Sequence, residues 1–150
     1  MTIPLYCREL RAVYGPSSAV TPPDNCVKDS KQAVLVVQPL LETAAEEHAL
    51  VILLDARHQL IALSQVSSGG VSGMSIDPKV VFRAALLANA SGLIFLHNHP
   101  SGDPTPSAED VVMTRRLRDA GEIIGCQLLD SIVIGAEGRF MSFRDQGRLS

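Results

Sequence analysis

The chain has 150 residues, 46% hydrophobic and 19% charged, with 11 Gly and 9 Pro, a balance that fits one well-packed domain and excludes a mainly disordered or collagen-like chain. A formal net charge of −3 and a pI near 5.7 give no electrostatic reason for sequence-independent nucleic-acid binding, which needs clustered Lys and Arg. Cys7, Cys26 and Cys126 lie far apart without CxxC spacing, against a disulfide framework or a cysteine-built zinc cluster and in favour of reduced thiols in a cytoplasmic protein; no apolar run approaches the ~18 residues of a membrane span.

Residues 3 to 14 interleave β-formers with charges and could form an edge strand, and 15 to 29 are dominated by turn residues; 1–29 read as an N-terminal extension within a single domain of residues 1–150. From Ser30, a candidate N-cap, residues 31 to 47 have a helix's length and apolar spacing, with Pro39 expected to kink or divide it. Two strands follow, 48 to 55 and 59 to 66, joined through a tight hairpin turn of Asp55, Ala56, Arg57 and His58. After a Ser- and Gly-rich loop at 67 to 76, Asp77 caps a helix with Pro78 at its first position. The run 92 to 96, "GLIFL", is short and uninterrupted, as suits a strand covered on both faces. Ser107 opens a helix that Gly121 is expected to stop; its Arg115, Arg116 and Arg118 spread around the axis as a solvated face. "IIGCQLLDSIVIG" and "RFMSFR" read as closing strands around the turn Ala136-Glu137-Gly138. Strands and helices thus alternate after residue 30, the pattern of a layered α/β domain.

The chemistry concentrates in "LIFLHNHPSGDPTPSAED", Leu93 to Asp110. Residues i and i+2 of a strand point to one face, so His97 and His99 can aim two imidazoles at one point, at the carboxyl end of a core strand where α/β sheets build their sites. Imidazole is a good zinc donor, and catalytic zinc commonly takes three protein ligands and leaves a fourth position open. Asp110 can supply the third, because the loop 100 to 106 is long enough to bring the next helix's first turn back to the strand end. Ser107 and Asp110 also have the spacing of a capping box, which makes the cap and the metal rivals for the same side chains: Asp110 is expected to face the metal and not its own backbone, with Ser107 free for both tasks. Hydrolysis needs a base, and Glu46 or Glu47 can reach the site if strand 48 to 55 neighbours strand 92 to 96; spacing alone does not choose between them. His48 at a strand start and His58 in the hairpin turn have ordinary packing or surface roles.

His97-x-His99, seven residues, then Ser107-x-x-Asp110 resembles the JAMM signature of JAB/MPN metalloproteases, and "HNHPSGDPTPS" with "TRRLRDAG" and "LLD" resembles the RadC branch, traditionally described as DNA repair proteins. The likeness runs from about Leu41 to Phe143. It implies a mixed sheet flanked by helices in a layered, cytidine-deaminase-like sandwich, with His97, His99 and Asp110 as zinc ligands. "EEHALVILLD" resembles the family's Glu-His-Phe strand start, which implies Glu47 as the catalytic glutamate, and Ser107 matches the serine that helps hold the oxyanion. Two departures stand out: Ser131 replaces the histidine of the family's "LLDH", and the helix-hairpin-helix segment that often precedes the RadC domain is not among these residues.

The expectation is a JAMM-type zinc hydrolase of peptide or isopeptide bonds, with an unidentified protein or peptide substrate. The alternative is a non-catalytic RadC-like module in DNA repair, recombination or mobile-element biology; family association suggests nucleic acid there, but the charge does not support it. A metal-dependent phosphodiesterase would want a second metal and more carboxylates.

Overall fold

The computed structural model of the chain describes residues 14–17, 19–41, 44–68 and 76–150. In chain order these form α1 (Ser30–Leu41), β1 (His48–Leu54), β2 (Leu60–Ser68), α2 (Pro78–Leu87), β3 (Gly92–Asn98), α3 (Ala108–Ile124), β4 (Gln127–Ile134) and β5 (Phe140–Ser142). The strands make one mixed sheet in the order β2-β1-β3-β4-β5, antiparallel except for the parallel pair β3–β4 that α3 connects.

Alternation along the strands divides the core in two. On one face Val51, Leu53, Leu93 and Phe95 pack with Phe82 of α2 and Leu117 of α3. On the other, Leu50, Ile52, Ile94, Leu96 and Ile132 pack under Val34 and Val37 of α1. Helices on both faces explain why the central strand β3 is buried at every position and why its sequence is an uninterrupted apolar run. The expected α/β layered fold is the observed one.

Local chemistry sets the element ends. The β1–β2 turn is held by Asp55, whose Oδ1 accepts from the N–H groups of Arg57 and Gln59, with His58 exposed at φ 60°. Asp77 caps α2 through the Lys79 N–H at 2.9 Å, with Pro78 behind it.

Three expected boundaries are corrected. Pro39 does not divide α1: it lies exposed in the last turn of a helix that ends at Leu41 and not at the expected 47, where its missing N–H falls on the exposed side. Asp29, not Ser30, caps α1, its carboxylate accepting from the Gln32 N–H at 2.8 Å. The α3 helix runs past Gly121 to the left-handed Gly125, φ 83°, so Ile123 and Ile124 are helical. The strand expected over 3 to 14, and Cys7, fall outside the described residues apart from Tyr14. The described part of the N-terminal extension is joined to the sheet: Cys26 bridges to Gln59, and Val27 is buried under α1. Among the described residues no helix is long and apolar enough to cross a membrane.

Candidate metal centre

Strand register brings the first three groups together. Antiparallel pairing of β1 with β3 sets Ala49 opposite His97. Beyond this last pair, strand alternation carries Glu47 and His99 on to the face that bears His97. Donor atoms of Glu47, His97 and His99 lie within 4.8 Å of one another, a group that could hold a metal ion. The condition set by the sequence, that strand 48 to 55 should neighbour strand 92 to 96, is met.

The loop 100 to 106 then returns to the strand end and is fixed there by backbone contacts. His99 N–H donates to the Ile134 carbonyl at 2.8 Å, and the Gly102 N–H donates to the His99 carbonyl at 2.9 Å. The Gly102 carbonyl accepts from Ala136 N–H at 2.9 Å and from the Arg139 guanidinium at 3.1 Å, so close to β4 that a side chain at Gly135 would strike it. His99 Nδ1 lies 2.9 Å from the Asp103 carbonyl, which can only accept. Its ring proton is therefore on Nδ1, and the Nε2 lone pair points forward.

Ser107 and Asp110 form a complete capping box at the start of α3. Ser107 Oγ accepts from the Asp110 N–H at 3.1 Å, and Asp110 Oδ2 accepts from the Ser107 N–H at 2.8 Å. The expectation that Asp110 would turn from its own backbone is thereby corrected. A carboxylate has about four lone-pair directions; here Oδ2 serves the cap and also lies 3.1 Å from His99 Nε2, while Oδ1 lies 3.1 Å from His97 Nε2.

The donor set fits a cation. Neither nitrogen of His97, whose side chain is only 2% exposed, has a well-formed hydrogen bond among the described residues, and the nearest acceptor is the Asp110 Oδ1 3.1 Å from Nε2. An unsatisfied buried polar atom ordinarily costs about 1–3 kcal/mol. Burial would raise the Asp110 carboxyl, but the His97 imidazole and the Ser107 N–H hold it well below the usual carboxylate range. At His99, whose ring proton is on Nδ1, the Nε2 lone pair faces the ionised Asp110 Oδ2 at 3.1 Å, an arrangement that a positive ion between them makes favourable. Tetrahedral zinc with ligands at ~2.0–2.1 Å sets its donors roughly 3.3 Å apart, close to these contacts.

A family model described as "RadC-like JAB domain" matches residues 27–148. The chain belongs to the RadC-like JAB domain family. A UPF0758 protein of Pelobacter propionicus is 45% identical over 109 residues, 73% of this chain and 47% of that protein. One from Caldanaerobacter subterraneus is 36% identical over 140 residues, 93% of this chain and 57% of that protein, and one from Methanosarcina mazei is 34% identical over 128 residues, 85% and 56%. The chain spans about half the length of these relatives, whose names state no activity.

Other residues of this RadC-like domain fall on either side of the site. Glu46 is exposed and Glu47 half-buried. His48 lies on the opposite sheet face, its Nδ1 3.1 Å from the Gln65 amide. Ser131, where the family pattern has histidine, is buried beneath α3 and accepts from Thr114 Oγ1 at 3.0 Å. Thr114 stands one helical turn after Asp110, so this bond ties the carboxylate's helix to β4. Asn98, two residues beyond the strand expected over 92 to 96, is the last residue of β3, and its side chain spans to the backbone on both sides of Glu47.

Proposed function

We propose that this domain is a zinc-dependent hydrolase that cleaves peptide or isopeptide bonds in a protein or peptide substrate. The observation that carries the reading is the convergence of two imidazoles and the Asp110 carboxylate at 3.1 Å, with His97 buried and without other partners. His97, His99 and Asp110 would hold the ion, and Glu47 is the base beside it. Two carboxylates face the histidines, and the fixed contacts favour Asp110 as ligand. Asp110 lies 3.1 Å from both imidazoles and is fixed by the helix cap, while the Glu47 donor atom lies within 4.8 Å of theirs.

Zinc held there would activate a water and polarise the scissile carbonyl. The chain's own groups do the rest. The Glu47 carboxylate takes a proton from the attacking water and returns it to the leaving amine. The Ser107 hydroxyl accepts from the Asp110 N–H, which leaves its own proton to donate to a developing oxyanion. His99 stays in one tautomer through its bond to the Asp103 carbonyl.

The test is a screen of peptide and isopeptide conjugates with wild type beside Glu47→Gln. Wild type is expected to cleave a conjugate while Glu47→Gln retains stoichiometric zinc and loses at least ~100-fold of the rate. Equal cleavage by the two proteins would overturn the role of Glu47, and cleavage by neither would overturn the hydrolase reading.

A further inference from the structure

We propose that Asn98 is a positioning residue for Glu47. The inference rests on the reading of Glu47 as the group that faces the metal. Asn98 is the last residue of β3 and is buried. By strand alternation it lies on the sheet face opposite His97, so it acts through the backbone and not by touching the site. Its amide makes two hydrogen bonds: His48 N–H donates to Asn98 Oδ1 at 2.7 Å, and Asn98 Nδ2 donates to the Glu46 carbonyl at 3.0 Å. The two partners bracket Glu47 on either side.

The arrangement replaces a rung of the sheet. The β1–β3 ladder ends at Ala49 and His97, and just beyond it the β3 backbone is committed to β4 through the His99 N–H and the Ile134 carbonyl. No main-chain group of β3 continues the hold on the segment that bears Glu47. A primary amide offers one donor side and one acceptor side, as a peptide group does, and so extends the pairing by one step. Serine or alanine could not supply both bonds, and aspartate would set a carboxylate against the Glu46 carbonyl.

The test combines backbone hydrogen exchange with a double-mutant cycle on metal affinity. In the metal-free protein, Asn98→Ala is expected to speed exchange at the His48 amide at least ~10-fold while the amides of Leu50 to Leu54 keep their protection, which separates loss of the clamp from unfolding. Asn98→Asp, which keeps the acceptor, should preserve protection at His48. In zinc titration, Glu47→Gln should weaken binding roughly 5-fold in the wild-type background and less than ~2-fold beside Asn98→Ala, since a displaced carboxylate no longer contributes. Unchanged exchange at His48 in Asn98→Ala, or an equal effect of Glu47→Gln in both backgrounds, would overturn the proposal. A wild type that binds zinc but cleaves no conjugate would refute the hydrolase reading and leave the cycle readable. A wild type that binds no zinc would refute that reading too, and the exchange result then decides for or against the clamp.

Discussion

Asp110 satisfies two demands with one carboxylate. Its Oδ2 closes the helix cap and both oxygens face imidazole nitrogens. The two functions can therefore be separated by substitution. Asp110→Asn keeps an acceptor for the Ser107 N–H but presents a neutral amide to the histidines; zinc affinity is expected to fall at least ~100-fold, with a loss of folding stability below ~1 kcal/mol. Ser107→Ala removes the reciprocal cap bond and should cost about 1 kcal/mol while zinc binding persists. Calorimetric zinc titration and denaturant unfolding of both variants check this. At this scale the two histidines were legible because strand period fixes their common face. The double use of Asp110 was not, because spacing counts residues and not lone pairs. Asn98 was hidden for another reason: its meaning depends on partners about fifty residues earlier in the chain, which only the β1–β3 register supplies.

Among the elements, β4 carries a second buried carboxylate, away from the site. Asp130 is fully buried and accepts from the Ser131 N–H at 2.7 Å, Ser142 Oγ at 2.5 Å and the Arg144 N–H at 3.0 Å, tying β4 to β5 and the turn after it. Burial pushes its carboxyl above the usual range, against the pull of these donors. The sign follows: with the folded value raised, the fold favours the protonated form, so this group's contribution to stability is present at low pH and is lost as pH rises through the raised value. Asp130→Asn keeps an acceptor for the strand and lacks that titration; in urea unfolding across acid pH, wild type should gain on it as pH falls. Asp130→Ala strands three donors and should cost about 3 kcal/mol or more. Element types were readable because turn residues and apolar runs punctuate this chain clearly. Boundaries were less so: Pro39 is tolerated in a last turn, and Gly121 packs its bare Cα against the Cys126 carbonyl inside α3, so a glycine alone did not mark the stop.

For the whole molecule, a metal that binds only the folded state should raise its stability. At a free zinc concentration one hundred times Kd the gain is about 2.7 kcal/mol, which corresponds to a rise in Tm of roughly 5–10 °C for a chain of this size. Scanning calorimetry with and without zinc checks the shift, which a chelator should reverse. The α/β architecture was visible in the order of elements alone, since both faces of a central apolar strand need cover. The most direct measurement of the central claim is the metal content of purified protein by elemental analysis, with wild type and Glu47→Gln beside a His97→Ala, His99→Ala double variant. Stoichiometric zinc in the first two and none in the third is the predicted result; stoichiometric zinc surviving in the double variant would contradict the account.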